Sequence, residues 1–411
     1  MVERAPWGNG IGLSNKNILF GITGGIAAFK AAFYLRSLKN FGAKVVPVLT
    51  ENAAKFVTPM TFSALANEKA WLDAFDSDPS SLFAHIEIPK DADCFVVCPA
   101  TANCLAKAAN GIADDLLTTM ILAYKGSVLF FPSMNPAMYQ NPATQNNIEK
   151  LRKLGHVVVE PATGQVACGD QGQGRLVEFE EFLHEVQSSL LPKPLLGKKI
   201  LVTAGPTREP IDPVRFLSNK SSGKMGFEIA WACKMLGAEV TLIKGPTQLS
   251  PPNVHTLLSV ETADEMFEAV KEVFPQMDVV IMTAAVADYT PERVSKTKIK
   301  KKDYGEENLN ISLKKTQDIL KYISRNRSSK QVIVGFCAET ENLIENARKK
   351  LANKPVDMLV CNDITEKGAG FDKNTNKVSI LYGDGSKIEE LPLMSKANLA
   401  LELMNRVSSL L

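Results

Sequence analysis

The sequence predicts an α/β protein built from two doubly wound domains, each with a mainly parallel sheet. Short apolar, β-branched runs alternate with helical patterns along the chain, which is typical of parallel sheets covered by helices on both faces. The length of 411 residues suits two domains. A Pro-rich spacer at 191–196, LPKPLL, separates the two series of strands and helices. We therefore predict a leader at 1–16 and domains at 17–191 and 192–411.

Composition and charge limit the classes of protein to which the chain can belong. Hydrophobic residues make up 45% and charged residues 22% of the chain, as in ordinary globular proteins. A formal charge of +2 favours neither nucleic acid nor a membrane surface as a partner. No apolar run is long enough for a membrane-spanning helix. Residues 1–16 lack the apolar segment of a signal peptide, so we predict a loose leader there.

The seven cysteines are widely spaced and form no C-x-x-C pair. This spacing argues against a disulfide framework and against a structural zinc site, and it favours a reducing cytoplasm. Most of the cysteines lie in apolar runs, where we expect them to be buried like small hydrophobic residues. Cys168 is the exception, because it lies in a polar, glycine-rich loop.

In the first half, strands are predicted at 17–23, 44–50, 94–99, 128–132 and 156–160, and helices at 26–40, at 59–66 and from 101. The carboxyl ends of parallel strands meet at one edge of the sheet, where ligands bind. Two strand-to-helix turns reach that edge, Gly24–Ala27 and Pro99–Asn103. Small residues there let the backbone approach a phosphate, although tight turns need small residues in any case.

Three polar residues of the first half suit chemistry on a carboxylate. His85 precedes the strand at 94 and can accept a proton when neutral, although a lone histidine is more often a surface or core residue. Asn135, in PSMNPAMY at 132–139, can donate and accept hydrogen bonds, and it is also a common turn former. Cys168 lies in GQVACGDQGQGR at 164–175, a composition that indicates a mobile flap with an accessible thiol.

The second half opens with ILVTAGPTREPIDPVRFLSNKSSGKMG at 200–226. It predicts a buried strand at 200–203, a Pro-rich loop and a helix from 223. Backbone N–H groups at the helix start attract phosphate, while Ser221 and Ser222 suit a plain helix cap equally well. The stretch is neither a Walker A motif nor G-x-G-x-x-G. Further strands are predicted at 239–244, 278–285, 331–339 and 358–362, an edge hairpin strand at 377–382, and helices at 262–273 and 396–407.

A lysine-rich run, RVSKTKIKKK at 293–302, follows the strand at 278–285. Such runs are usually solvated loops. The alternative is a lid that closes over a triphosphate and brings positive charge to it. The residues alone leave both interpretations open.

The segment at 205–226 resembles the signature of bacterial phosphopantothenate–cysteine ligases over more than twenty residues. The first half resembles the FMN-dependent phosphopantothenoylcysteine decarboxylases. The order of the two resembles the bifunctional enzymes of coenzyme A synthesis over nearly the whole chain. The resemblance implies a flavodoxin-like domain at 17–191 and a Rossmann-like domain at 192–411. It implies that CTP and Mg²⁺ activate 4′-phosphopantothenate as an acyl-cytidylate, that cysteine displaces CMP, and that FMN then supports decarboxylation to 4′-phosphopantetheine.

By the same resemblance, His85 is the base of the decarboxylation, Asn135 and Met138 contact the substrate, and Cys168 donates the final proton. Tyr139 stands where the family has Trp, which puts a packing or lid contact of that residue in question. The residues implied for FMN are Gly24, Gly25, Ile26, Ala27, Thr50, Thr101 and Asn103.

In the second domain, the resemblance implies that Asn219 holds the acyl intermediate and that Lys298 is the catalytic lysine, with Lys300 as a competitor in the repetitive run. Arg215 is expected to meet a carboxylate or a phosphate through its planar guanidinium. Gln317 replaces the Pro of the family. The residues implied for the nucleotide are Ala284, Asp288, Lys298, Gln317, Asp318, Ile319, Leu320, Phe336, Lys350 and Lys354.

Three other functions remain as alternatives at this point. The first is another flavoprotein, which prenylates flavin or decarboxylates peptide C-termini; the attached ligase signature argues against it. The second is a catalytically dead regulatory member, against which the joint presence of His85, Asn135 and Cys168 argues. The third is an NAD(P) oxidoreductase, and the absence of a G-x-G-x-x-G motif argues against it. The family also implies a homo-oligomer, with decarboxylase trimers and ligase dimers that close a dodecamer.

Overall fold

The computed structural model of the chain describes residues 10–73, 83–300, 309–339, 343–363, 373–383, 385 and 387–411. The chain divides into two units, 1–191 and 192–411. The strands of the first unit are β1 (Asn17–Ile22), β2 (Lys44–Leu49), β3 (Cys94–Ala100), β4 (Val128–Pro132), β5 (Val157–Val158), β6 (Ala162–Gln165) and β7 (Gln171–Arg175). Its helices are α1 (Ala28–Asn40), α2 (Glu51–Ala54), α3 (Pro59–Ala66), α4 (Ala84–Lys90), α5 (Ala102–Asn110), α6 (Leu116–Ala123), α7 (Pro136–Gln140), α8 (Pro142–Lys153) and α9 (Phe179–Leu190).

The main sheet of the first unit has the strand order β2-β1-β3-β4-β5, and every pair in it is parallel. Successive residues of a strand point to opposite faces, so Phe20 packs with α1 and α9 while Leu19 packs with α5 and α6. Burial of a side chain as large as Phe20 contributes about 2 to 3 kcal/mol. The doubly wound arrangement predicted from the alternating pattern is confirmed.

The predicted leader is described from residue 10 onwards, and this part is anchored to the first unit. Leu13 is fully buried, and Gln187 of α9 donates a hydrogen bond from Nε2 to Ile11 O over 3.1 Å. The chain is therefore fixed several residues before β1 begins.

The strands of the second unit are β8 (Lys199–Ala204), β9 (Arg208–Pro210), β10 (Phe216–Ser218), β11 (Glu239–Lys244), β12 (Thr256–Ser259), β13 (Val279–Met282), β14 (Tyr289–Pro291), β15 (Leu313–Lys315), β16 (Val332–Glu339), β17 (Met358–Asp363), β18 (Thr375–Tyr382) and β19 (Ile388–Ser395). Its helices are α10 (Lys224–Met235), α11 (Ala263–Val273), α12 (Ile319–Asn326), α13 (Leu343–Asn353) and α14 (Lys396–Ser408).

The main sheet of the second unit has the order β12-β11-β8-β13-β16-β17-β18-β19. Its first six strands are parallel and the last two are antiparallel. The strand and the hairpin predicted at 377–382 are present, but the edge position was wrong, because β18 pairs with β17 on one side and β19 on the other. The sequence hid β19 because Pro392 and two glutamates interrupt its pattern, which an edge strand tolerates.

Two predicted loops contain short hairpins. The Pro-rich loop at 205–219 carries β9 paired with β10, and the glycine-rich loop at 164–175 carries the ends of β6 and all of β7. The predicted strand at 278–285 ends early, at Met282. Beyond it the backbone bonds to a side chain of β8, because Ala284 N donates to Thr203 Oγ1 over 3.2 Å. Within the described residues, no helix combines the length and the apolar character that crossing a membrane requires.

Candidate active sites

The N-terminal cavity lies beyond the carboxyl ends of β1, β3 and β4 and has a volume of about 460 Å³. Thr23 fixes two of its turns, because its Oγ1 donates to Pro99 O over 2.8 Å and accepts from Thr101 N over 3.0 Å. Thr101 Oγ1 also accepts from Cys104 N and thereby caps α5. The predicted site residues that line this cavity are Gly24, Gly25, Ile26, Ala27, Thr101, Asn135, Met138 and Cys168.

Asn135 joins the cavity to the glycine-rich loop, which we call the flap (residues 164–175). Its Oδ1 accepts from Ala137 N over 2.8 Å and caps α7, which fixes the orientation of the amide. Its Nδ2 then faces the flap and donates to Cys168 Sγ over 3.2 Å and to Asp170 Oδ2 over 2.6 Å. Cys168 is exposed, whereas the other six cysteines are buried, as expected. Sequence reasoning gave no role to Asp170.

The remaining residues predicted for this site lie elsewhere. Among the described residues, those that line the cavity do not include His85, Thr50 or Asn103. His85 lies in the first turn of α4 and is half-buried. Thr50 caps α2, because its Oγ1 accepts from Ala53 N over 3.2 Å, and Asn103 is exposed on the first turn of α5. Within a single copy of the chain, Asn135 and Cys168, the candidates for carboxylate binding and proton donation, thus line one cavity. His85, the candidate base, is not among the described residues that line it.

Tyr139, which replaces the Trp of the family, is buried and supports the flap from behind. Its hydroxyl donates to Glu160, and the same carboxylate accepts from Gln173 Nε2 of β7 over 3.2 Å. Burial alone would raise the pKa of the Glu160 carboxyl, but hydrogen bonds from Tyr139 and Arg152 hold it below its ordinary value. A Tyr at this position therefore makes a polar contact to the flap strand through its hydroxyl.

The N-terminal cavity fits a flavin mononucleotide. Its volume lies in the range of cofactor sites. The turn Gly24–Ala27 before α1 lines the cavity, and the positive end of the helix dipole there favours a phosphate. A Cβ at Gly25 would meet only Thr101 Cγ2, at 3.8 Å, so the missing side chain leaves space beside that turn. Ile26 and Phe29 are 59% and 60% exposed and line the cavity, which gives a flat ring an apolar surface.

The C-terminal cavity lies at the ends of β13 and β16 and has a volume of about 470 Å³. Two of its charged groups pair, with Lys354 Nζ 2.7 Å from Asp318 Oδ2. Asp318 also caps α12, because its Oδ1 accepts from Lys321 N over 3.0 Å. Nine of the ten residues predicted to contact the nucleotide line this cavity: Ala284, Asp288, Gln317, Asp318, Ile319, Leu320, Phe336, Lys350 and Lys354.

A third cavity of about 440 Å³, which we call the adjoining cavity, shares Ala284, Asp288 and Lys350 with the C-terminal one. The Ser-rich turn before α10 forms one wall. Gly223 in that turn has φ of +77°, and a Cβ at Gly226 would lie 2.5 Å from Ala204 Cβ. Both glycines are therefore required, the first by the turn and the second by the close approach of α10 to β8.

Asn219 lies at the edge of the adjoining cavity. Its Nδ2 donates to Ala285 O over 3.2 Å and to Val286 O over 3.0 Å. Two buried oxygens on the wall, Asn362 Oδ1 and Asn376 Oδ1, have no hydrogen-bond partner among the residues that the structure describes. These oxygens can accept hydrogen bonds from a ligand.

A buried group of charges at the adjoining cavity was not foreseen from the sequence. Lys224 and Lys396 line the cavity, and Glu228 is buried near both. Burial raises the pKa of Glu228 to about 7, against the opposite effect of the two lysines. The spacing of Lys224 and Glu228, four residues apart on an otherwise apolar helix, was the signal in the sequence.

The lysine-rich run is described up to residue 300, so Lys301 and Lys302 lie outside the described residues. Lys298 is exposed and does not line either cavity in the described part of the unit. Its neighbour Ile299 is fixed at both backbone ends: its N–H donates to Asp212 Oδ2 over 3.2 Å, and its carbonyl accepts from Arg215 Nη2 over 3.0 Å. Hydrogen bonds from Arg215 hold the pKa of the Asp212 carboxyl well below its ordinary value.

Comparison with known proteins agrees with both halves. Residues 11–191 match the family model described as Flavoprotein, and residues 195–411 match the DNA/pantothenate metabolism flavoprotein C-terminal domain. The coenzyme A biosynthesis bifunctional protein CoaBC of Bacillus subtilis (strain 168) is 44% identical over 97% of this chain and 98% of the relative. The CoaBC of Escherichia coli (strain K12) is 38% identical over 96% of this chain and 97% of the relative.

Among solved structures, the C-terminal domain of a coenzyme A biosynthesis bifunctional protein CoaBC is 44% identical, with a TM-score of 0.45 over 53% of this chain and 97% of that one. The assignment to a family rests on the sequence identity to these two relatives, which extends over both units. The chain belongs to the family of the coenzyme A biosynthesis bifunctional protein CoaBC, with a flavoprotein unit followed by a DNA/pantothenate metabolism unit.

Proposed function

We propose that the second unit joins cysteine to 4′-phosphopantothenate at the expense of CTP, and that the first unit decarboxylates the product to 4′-phosphopantetheine with FMN. The observation that carries the proposal is the contact of Asn135 with Cys168 at one cavity of a flavoprotein unit, 3.2 Å apart. A carboxylate-binding amide and a proton-donating thiol are two of the groups that a flavin-dependent decarboxylation needs. We also propose a cytoplasmic enzyme, which its seven free cysteines favour.

In the first unit, FMN supplies the reversible uptake of two electrons when it is bound. Gly24, Gly25 and Thr101 border its site, and the residues act on the substrate around it. Asn135 holds the carboxylate and Met138 packs against the substrate. Cys168 donates a proton to the carbon that has lost CO₂, and His85 takes up the proton released at the start.

His85 comes from a neighbouring copy of the chain on this proposal. Phe83 and Ile86, which flank it, are 62% and 48% exposed, and Ile26 and Phe29 at the cavity are exposed as well. Apolar surface of this kind on both partners favours a protein interface. We therefore propose a homo-oligomer in which decarboxylase units form trimers and ligase units form dimers, which together close a dodecamer.

In the second unit, the nucleotide occupies the C-terminal cavity, where Lys350 and Lys354 meet its phosphates. Asp288, which lines the cavity, would help to position the Mg²⁺ that neutralises charge on the triphosphate. The carboxylate of 4′-phosphopantothenate attacks the α-phosphate, and Lys298 offsets the charge of the departing pyrophosphate. Asn219 holds the acyl-cytidylate while the amine of cysteine displaces CMP.

The test is a single-pot assay with Cys168→Ser. Wild-type protein should be yellow and should convert 4′-phosphopantothenate, cysteine and CTP into pyrophosphate, CMP, CO₂ and 4′-phosphopantetheine. The Ser variant should release pyrophosphate and CO₂ but accumulate the oxidised enethiol, with dissolved oxygen accepting the two electrons left on the flavin, because a hydroxyl is a far weaker acid than a thiol. Mass spectrometry distinguishes the two products by two hydrogens. A colourless wild-type protein, or normal output from the Ser variant, would contradict the proposal.

A further inference from the structure

Two groups of the flap share one amide of the N-terminal cavity. Asn135 Nδ2 carries two hydrogens, and its bonds to Asp170 Oδ2 over 2.6 Å and Cys168 Sγ over 3.2 Å account for both. The Cys168 thiol also faces the carboxylate of Asp170, with the sulfur 3.5 Å from Oδ2. Because Asn135 Oδ1 is occupied by Ala137 N, the amide cannot rotate to offer its oxygen to the flap instead.

Asp170 thus occupies the atom that the proposed function assigns to the carboxylate of the substrate. We propose that Asp170 is a positioning residue that competes with the substrate carboxylate for Asn135. This competition determines when Cys168 reaches the substrate. The substrate carboxylate displaces Asp170 when it binds. When CO₂ leaves, Asn135 becomes free and Asp170 returns with Cys168. The inference rests on the proposed function of the first unit.

The flap is fixed at its base, and its tip is a single hydrogen-bonded turn. At the base, Gly174 O accepts from Met134 N over 2.9 Å, and a Cβ at Gly174 would lie 2.3 Å from Met134 O. At the tip, Val166 N donates to Asp170 O over 3.0 Å, and Gly169 N donates to Val166 O over 2.9 Å. This tight turn makes Cys168 and Asp170 one unit, so displacement of the carboxylate moves the thiol with it.

The order of events follows from the charges. While the substrate carboxylate is present, repulsion between two carboxylates keeps Asp170 away from Asn135 and keeps the thiol back. Loss of CO₂ from the thioaldehyde, which would form when bound FMN accepts two electrons as a hydride from the carbon that bears sulfur, leaves the electron pair of the broken C–C bond on the substrate as an enethiolate. The S–H proton of Cys168 then passes to the carbon that lost CO₂, and the hydride would return to the carbon that bears sulfur. His85 gives its proton back to the product thiolate, and the Cys168 thiolate recovers a proton from water at the exposed flap. Protonation before decarboxylation is avoided because the thiol is not yet in place.

The experiment compares two ligands that differ only in the carboxylate. The first is 4′-phosphopantothenoylserine, which keeps the carboxylate and offers no thiol to oxidise; the second is the same molecule with hydrogen in place of the carboxylate. Binding to the FMN-loaded, full-length protein is measured by calorimetry. Asp170→Asn should bind the carboxylate ligand about tenfold more tightly than wild type does, because a charge-assisted hydrogen bond no longer has to be broken. Its affinity for the ligand without a carboxylate should stay within about twofold.

A second readout follows the products with 4′-phosphopantothenoylcysteine. Asp170→Asn should release enethiol alongside 4′-phosphopantetheine, because the thiol returns late. Asp114→Asn is the matched control, since Asp114 pairs with Lys107 over 2.7 Å on the surface of the same unit; it should change neither readout. Cys168→Ser should release enethiol without the tenfold gain in affinity.

Equal affinity changes for the two ligands, or a product made up entirely of 4′-phosphopantetheine, would overturn the role of Asp170. Such a result would leave the proposed function intact as long as the wild type still decarboxylates its substrate. Failure of the wild type itself to bind FMN or to release CO₂ would instead overturn the proposed function.

Discussion

The N-terminal and C-terminal cavities are almost equal in size, about 460 and 470 Å³, but their walls differ in chemistry. The first is bordered by glycine turns and apolar side chains such as Ile26, Phe29 and Met138. The second carries Lys315, Lys350 and Lys354. A flat ring needs close backbone and apolar surface, whereas a triphosphate needs cations. The same topological edge of a parallel sheet therefore carries walls that suit two different ligands in the two units.

The largest expected effect separates the two sites. His85→Asn should lower the rate of CO₂ release by about a hundredfold to ten-thousandfold, because it removes a general base. Pyrophosphate release by the second unit should stay unchanged and serves as the internal control. Absorbance of bound FMN checks that the first unit is folded. Loss of both activities together would mean that His85 is a structural residue and that the two sites are not independent.

A mixture of two variants that should each fail to form 4′-phosphopantetheine tests whether the base comes from another copy. His85→Asn mixed with Cys168→Ser, after dissociation and reassembly, should regain part of the 4′-phosphopantetheine formation. Some sites of such a hybrid combine an intact His85 with an intact Cys168. A mixture that forms no 4′-phosphopantetheine, with each variant folded, would place His85 and Cys168 in the same copy.

The positions of both cavities could be predicted from the sequence, because the carboxyl ends of parallel strands lie at one edge of the sheet. The turn at Gly24 and the segment at Asn135 follow different strands, yet both reach the N-terminal cavity. The contact between Asn135 and Asp170 could not be predicted, because it depends on where the flap folds back. Likewise, the pairing of Glu228 with Lys396 joins α10 to α14 across more than 160 residues, and no local pattern encodes such a pair.

The next effect concerns the lysine-rich run of the second unit. Lys298→Gln should lower pyrophosphate release by about a hundredfold to a thousandfold, because a cation aimed at the leaving phosphate is lost. Lys300→Gln is the matched comparison and should retain most of the activity, because the family resemblance assigns the catalytic role to Lys298. With cysteine withheld, pyrophosphate and trapped acyl-cytidylate are measured.

Asn219→Asp tests the second step of the ligation, in which cysteine attacks the acyl-cytidylate. It should still form acyl-cytidylate but pass it slowly to cysteine, because a neutral amide orients the acyl group and a carboxylate repels the phosphate beside it. If Lys300→Gln removes the intermediate and Lys298→Gln does not, the assignment is off by two residues. If neither lysine matters, the run is a solvated loop.

The smallest expected effect is on stability and tests whether the charges at the adjoining cavity are truly buried. Burial raises the pKa of Glu228 from its ordinary value of 4.5 to about 7. Between these two values the folded protein holds a proton that the unfolded chain has released, so stability falls as pH rises through this window and levels off above it. The loss amounts to roughly 3 to 3.5 kcal/mol. Glu228→Gln keeps the shape without the charge, so its melting temperature at pH 8 should exceed that of wild type by about 10 °C and the two should converge near pH 5.

Glu268→Gln is the control for this pH series, because Glu268 lies on the surface of the same unit and pairs with Lys271 over 2.9 Å. Its melting curve should follow that of the wild type at every pH. Parallel curves for Glu228→Gln and wild type would show that the Glu228 carboxyl titrates as in water. Lys224 and Lys396 would then face a solvated acid, and the adjoining cavity would carry charges that are not buried.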